Sequence, residues 1–263
     1  MGRTALPSAA QEFLVASRLR RRDVEFELSV GSYFSEPARA MTGLVGVEQR
    51  RGFAQIELPK SPPLEMALGQ AIKRRRSVRT YTEDQLPFSY LAAICRAACG
   101  ITGQLPGRGD APGIMARATP SGGGLYPLDL HIAALRVNGL TRGTFVYDPR
   151  RDALWQTGEH DVADALLGTL AAPDGAIHTS QAAALCLLIG RPRRATRKYG
   201  QRGLRHVFLE AGAIAQQIAL ACTALGIGSV DSSSVYDDEV HDVLGMDGEG
   251  EAIVHLVILG IAA

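Results

Sequence analysis

The string from Lys73 to Tyr81, KRRRSVRTY, crowds Arg74, Arg75, Arg76 and Arg79 around the hydroxyl of Ser77. A phosphate calls for such donors, because guanidinium forks pair bidentately with its oxygens and a hydroxyl adds one more hydrogen bond. Cations closing the negative end of a helix on a solvated surface would leave the same string. A second stretch, Thr119 to Pro127, reads TPSGGGLYP. Its three glycines let backbone amides approach a flat or anionic ligand with no Cβ in the way, although a simple tight loop has the same composition. It is not a Walker loop, since no Gly-Lys-Ser/Thr follows, nor a dinucleotide fingerprint, since a strand comes next.

The third candidate is RATRKYGQRGLRH, Arg194 to His206, expected as a basic loop ahead of the most apolar helix in the chain. Lys198 and Tyr199 adjoin Gly200 there. Either side chain takes up a proton near neutral pH only if its pKa falls far below about 10. Desolvation would do this for the lysine, and the field of Arg197 and Arg202 for the phenol. A surface lysine and tyrosine are the plain alternative. The histidines (His131, His160, His178, His206, His241, His255) show no HExxH spacing and no Cys-x-x-Cys is present, so no catalytic metal is expected. Asp231 stands where a GxSxG elbow around Ser229 would need glycine, which argues against acyl transfer.

These segments need elements to hold them. Ser61-Pro62 is expected to open a helix that carries Leu64, Ala67, Leu68, Ala71 and Ile72 and runs into the arginines. A second helix is expected over Phe88 to Cys99, stopped by Gly100, and a Gly/Pro-rich loop over 101–124. Leu128 to Val137, Thr144 to Tyr147 and Ala153 to Gln156 suggest a meander. Ala183 to Ile189 and Ile253 to Leu259 suggest central strands covered on both faces. Leu204 to Leu225 follows a helical period throughout, ends at Gly226 and is rich enough in small residues for close helix approach, as in a dimer core.

At 263 residues, 46% hydrophobic and 21% charged, the chain can bury one large core. Its net charge of +1 gives no general attraction to nucleic acid or to an anionic membrane. No apolar stretch is expected to approach the ~20 residues that cross a bilayer, and the N-terminus lacks the pattern of a signal peptide, so a cytoplasmic location is expected. Cys95, Cys99, Cys186 and Cys222 lie in apolar surroundings that suit buried thiols better than disulfides. Cys95 and Cys99 share a helix face, which leaves a regulatory pair as the lesser alternative.

Taken in order over residues 61–263, the segments resemble the nitroreductase superfamily, and within it the SagB-like and McbC-like azoline dehydrogenases of thiazole/oxazole-modified peptide biosynthesis. The resemblance implies an α+β fold, a central mostly antiparallel sheet flanked by helices, in an intertwined homodimer. It implies that Arg75, Arg76, Ser77 and Arg79 hold the phosphate and ribityl chain of FMN. Pro120, Ser121, Gly122, Gly123 and Leu125 would lie against the flavin, Ser232 and Ser233 would line its ring, and Lys198 and Tyr199 would be catalytic. The arginine cluster and the glycine turn would then close around one flavin.

The implied reaction takes two hydrogens from a thiazoline or oxazoline in a ribosomally made peptide to give the azole, with reoxidation by dioxygen and a cyclodehydratase complex as partner. A generic NAD(P)H-dependent nitro or quinone reductase and a non-catalytic scaffold subunit are the alternatives. Two departures stand out: the C-terminus VILGIAA offers no further basic phosphate ligand, and residues 1–60 match no motif and are set apart as an extension.

Overall fold

The computed structural model describes residues 8–32, 53–106, 114–171 and 175–263. Helices α1 (Ala9–Ala16) and α2 (Val24–Ser32) lie in the extension, followed by strand β1 (Gln55–Glu57). Then come α3 (Leu68–Arg74), β2 (Leu86–Pro87), α4 (Phe88–Cys99), β3 (Ile101–Leu105), β4 (Ile114–Arg117), β5 (Leu128–Ala134), β6 (Val137–Asn138), β7 (Gly143–Asp148) and β8 (Ala153–Gly158). The chain continues through α5 (His160–Gly168), β9 (Ala184–Gly190), α6 (Pro192–Tyr199), α7 (Gly203–Leu225), β10 (Gly228–Ser232), α8 (Asp237–Leu244) and β11 (Ala252–Gly260).

The main sheet runs β1-β8-β7-β5-β9-β11-β10 with every neighbouring pair antiparallel, so the expected α+β architecture is present. β5, β7 and β8 form the meander, and every residue of β5, β7 and β9 is buried. Alternation along β9 explains why both faces are apolar. Cys186 and Leu188 pack with Leu91, Ile94, Ile214 and Ile218 beneath α4 and α7, whereas Leu185, Leu187 and Ile189 pack with Leu166 and Val240 beneath α5 and α8. β1 belongs to the region set apart as an extension, yet it pairs with β8 at the sheet edge.

Several elements differ from expectation. α3 starts at Leu68 rather than Ser61, with Ala67 in an extended conformation and no side-chain cap. Pro63 disfavours the helical region for Pro62, and the Ser61 hydroxyl instead accepts a bond from Arg96 Nη1. The expected loop over 101–124 contains the β3/β4 hairpin, and its residues 107–113 lie outside those described. The basic stretch before α7 is largely helical: Pro192 at the start of α6 supplies the N-terminal signal that the arginines masked. Pro192–Leu225 contains an apolar window long enough by length and composition to cross a bilayer, contrary to the expectation that no apolar stretch comes near that length, because Ala211 to Leu225 is uncharged. Half of that apolar window is buried inside the fold.

All four thiols are buried, and burial pushes Cys99 and Cys186 up to about 12 and Cys95 and Cys222 well above the ordinary thiol range. They act as small apolar groups in the core.

Candidate functional site

The glycine turn is held by its own first residue. Ser121 Oγ accepts the Tyr126 N–H at 2.8 Å, its carbonyl accepts the Gly124 N–H at 3.0 Å, and its hydroxyl proton is left for the carboxylate of Glu210. Gly123 and Gly124 take left-handed conformations at φ +68° and +67°, and Tyr126 follows at +44°. Leu125 is wholly buried in the core, so what it can present to a ligand is backbone, while Pro120 and Gly123 are exposed.

A buried ion pair fixes α6 against this turn. Asp129, on β5, receives Arg191 Nε at 2.5 Å and Arg194 Nη1 at 2.7 Å, and Arg194 also bonds the Tyr126 carbonyl at 3.1 Å. Burial alone would raise the Asp129 pKa, but the two guanidiniums hold it below the usual carboxylate range. Arg194 therefore joins the first turn of α6 to the end of the glycine turn, and the last turn of α6 delivers Lys198 and Tyr199 beside it.

The closeness of that approach is visible at the glycines. A Cβ on Gly123 would stand 2.5 Å from Tyr199 Oη and 2.7 Å from Lys198 Nζ, and one on Gly122 would stand 2.9 Å from His206 Nδ1. No other residue fits at 123 without displacing the pair. Lys198 is 5% exposed, and burial lowers its pKa from the ordinary lysine range. The Tyr199 ring lies 4.7 Å from that of His206, whose pKa burial and Arg202 both lower. The structure thus assembles a partly desolvated amine and a phenol against a bare backbone turn, two groups that can exchange a proton at that point.

His206 and Glu210 escaped the sequence reading. They stand one turn apart on α7 and so share the face behind the glycine turn. Burial raises the Glu210 pKa to about 7, offset in part by Ser121, Arg117 and Arg194, and its Oε2 has no hydrogen-bond partner among the described residues. The available signal was a lone carboxylate immediately before the uncharged run of the longest helix.

The arginine segment is held elsewhere. Val78 N–H donates to the Ser229 carbonyl at 2.9 Å, Thr82 N–H to that of Ile261 at 2.8 Å, and Tyr81 Oη to the Val78 carbonyl at 2.8 Å. Arg76, Ser77 and Arg79 are exposed and Arg75 half-buried. Ser232 ends β10, the strand that begins beside Ser77, and its hydroxyl accepts the Ser234 N–H, while Ser233 is exposed. Ser229 lies beside Cys222 near the end of α7, whereas the glycine turn lies on His206 at its start. From His206 to Cys222 the helix rises about 24 Å at roughly 1.5 Å per residue. Within one chain the arginines and the glycine turn therefore lie apart, so the expectation that they close around one flavin is not met by a single copy.

Comparison with known proteins places these features in a family. Residues 72–261 match the Nitroreductase family. A protein of Methanocaldococcus jannaschii named as a nitroreductase is 32% identical over 190 residues, 72% of this chain and 89% of its own length. Among solved structures, one from Ralstonia eutropha described as a nitroreductase superposes with a TM-score of 0.65 at 21% identity, covering 80% of this chain and 90% of that one. A chain of the Escherichia coli microcin synthetase McbBCD complex with truncated pro-MccB17 bound gives a TM-score of 0.63 at 18% identity, covering 97% of this chain and 92% of that one. A Desulfovibrio desulfuricans structure described as a nitroreductase in complex with FMN gives 0.50 at 18% identity, with 76% and 88% covered.

Proposed function

This chain belongs to the nitroreductase family, and from that membership we propose that it is an FMN-dependent oxidoreductase that converts thiazoline or oxazoline rings of a ribosomally made peptide into thiazole or oxazole. The observation that carries the reading is the closure of Gly123 on Lys198 and Tyr199. It supports a site in which a flat ring rests on bare backbone with a base beside it.

The residues suit FMN in two halves. The guanidiniums of Arg75, Arg76 and Arg79, with Ser77, form the donor set a phosphate needs, and Ser232 and Ser233 lie at and just after the end of the strand that begins beside them. Pro120, Ser121, Gly122 and Gly123, with the Leu125 backbone, form a cradle that a Cβ would fill. FMN, when bound, supplies the two-electron acceptor that no side chain here can provide.

Since the halves sit at opposite ends of α7, one cofactor meets both only if a second copy packs its α7 antiparallel to the first. Leu68 and Ile72 on α3 and Leu209 on α7 are 66%, 59% and 71% exposed, the apolar surface such a homodimer would cover. In the reaction the ring loses two hydrogens, one as hydride to the flavin and one as a proton to Lys198 Nζ or Tyr199 Oη; desolvation of Lys198 favours the unprotonated amine that can accept it. A cyclodehydratase that makes the ring is the expected partner, in keeping with the McbBCD likeness.

The nitroreductase name of the Methanocaldococcus jannaschii relative favours a second reading, a nicotinamide-dependent nitro or quinone reductase. One experiment separates the two. The purified protein is expected to release a yellow chromophore on denaturation and to take two hydrogens from an azoline-bearing peptide, read by mass. Bleaching by NAD(P)H with the peptide left unchanged would overturn azoline oxidation in favour of the reductase.

A further inference from the structure

The N-terminal helices are not a detached appendage. Ser29 Oγ on α2 lies 3.0 Å from the carbonyls of both Arg197 and Lys198, and the Phe26 ring stacks on Tyr199 with centroids 6.3 Å apart. At the turn between α1 and α2, the Ser17 hydroxyl accepts Arg205 Nε at 2.9 Å and its carbonyl accepts Arg202 Nη1 at 3.3 Å. Phe13 meets Phe208 edge-on at 6.3 Å. α1 and α2 therefore grip both the last turn of α6 and the first turns of α7, the segments that present Lys198, Tyr199 and His206.

Between these helices and α6 lies a cleft of about 240 Å³, walled by Ser17, Arg18, Asp23, Phe26, Tyr199 and Arg202. Tyr199 serves both places: its hydroxyl is close against Gly123, and the residue lines this cleft with its ring against Phe26. The cleft is smaller than the roughly 300–1,000 Å³ of a complete small-molecule site, so a short chain segment suits it better than a dinucleotide. Two guanidiniums against one carboxylate favour carbonyl-rich or acidic groups, and the paired aromatic rings offer an apolar floor for a side chain.

We propose that this cleft is a subsite for the residues flanking the reacting ring, and that it takes a short acidic peptide segment. The proposal rests on the azoline reading for what reacts, but not for what binds. Arg18, exposed at the mouth, meets acidic side chains, and Phe26 carries the segment onto the Tyr199 ring. Residues 8–32 would then set peptide specificity beside a reaction site built by the rest of the chain.

The test uses the full-length flavin-loaded protein, its Arg18→Glu and Phe26→Ala variants, and two probes: a thiazoline within an acidic peptide, and the same ring as a capped single residue. KM for the peptide relative to that for the capped ring is expected to rise about fivefold to tenfold in Arg18→Glu, and to rise again in Phe26→Ala. In parallel, fluorescence anisotropy follows a labelled acidic peptide without the ring, whose binding should weaken by the same factor in Arg18→Glu. Equal changes for both probes, no change for either, displacement of the peptide by a nicotinamide dinucleotide, or no peptide binding by the unaltered protein overturns the subsite. Peptide binding that weakens in Arg18→Glu without oxidation of either probe upholds the subsite and removes the azoline reading instead.

Discussion

Gly123 and Lys198, distant in the chain, approach so closely that a single methyl group on the glycine would stand 2.7 Å from the lysine Nζ. The contact needs both the left-handed turn at φ +68° and the last turn of α6, and the Asp129 ion pair sets the distance between them.

Gly123→Ala is therefore expected to harm both fold and activity. The left-handed backbone costs alanine about 1 kcal/mol, and the new methyl pushes Lys198 and Tyr199 out of register. Azoline turnover should fall by about 100-fold while the melting temperature drops only a few degrees. Full turnover in this variant would show that the close approach serves no catalytic purpose.

Lys198→Ala and Tyr199→Phe should each lower kcat by about 10²- to 10⁴-fold with bound flavin retained, as judged by visible absorbance. Where Lys198 is the base, the rate rises with pH as the amine loses its proton, and levels off below the ordinary lysine range because burial lowers its pKa. Unchanged product formation in both variants would assign the chain a scaffold role.

Glu210 makes stability depend on pH in a defined direction. Its pKa is raised from 4.5 to about 7, so between those values the folded chain holds more protons than the unfolded one. Stability contributed by the protonated acid is complete below pH 4.5 and is lost as pH rises through about 7, by at most about 3 kcal/mol. Urea unfolding at about pH 5 and about pH 8 should show this loss, and Glu210→Gln should flatten it. A slope that survives Glu210→Gln belongs to another group.

Asp129→Asn leaves Arg191 and Arg194, which are 16% and 13% exposed, without their shared carboxylate. A loss of about 3–5 kcal/mol is expected in chemical denaturation. Because Arg194 also holds the Tyr126 carbonyl, activity should fall below the level that lost folded protein explains. A stability change under about 1 kcal/mol would mean that solvent reaches the pair.

Leu209→Asp and Ile72→Asp place charges on the exposed apolar surface of α7 and α3. If the proposed homodimer builds each flavin site from two copies, light scattering should show monomers and the monomers should have lost flavin. Monomers that keep stoichiometric flavin would return the whole site to one chain.

Much of the architecture was written locally. Strands such as Ala184–Gly190 are uninterrupted apolar runs, and α4 and α7 repeat their apolar residues at helical spacing up to Gly100 and Gly226, so burial and backbone freedom act on neighbouring residues alone. The chemically suggestive segments were legible for the same reason, as residue types in short strings. α6 was not, because its arginines point to solvent and to Asp129, and an arginine-rich helix looks like a loop until its partner is known. Nor were His206 and Glu210, whose significance lies in facing a turn far away in sequence. Which segments meet was decided only by the tertiary structure. The sheet and α7 place the glycine turn on Lys198 and Tyr199, and leave the arginines at the other end of a rigid helix, a separation that local propensity does not encode.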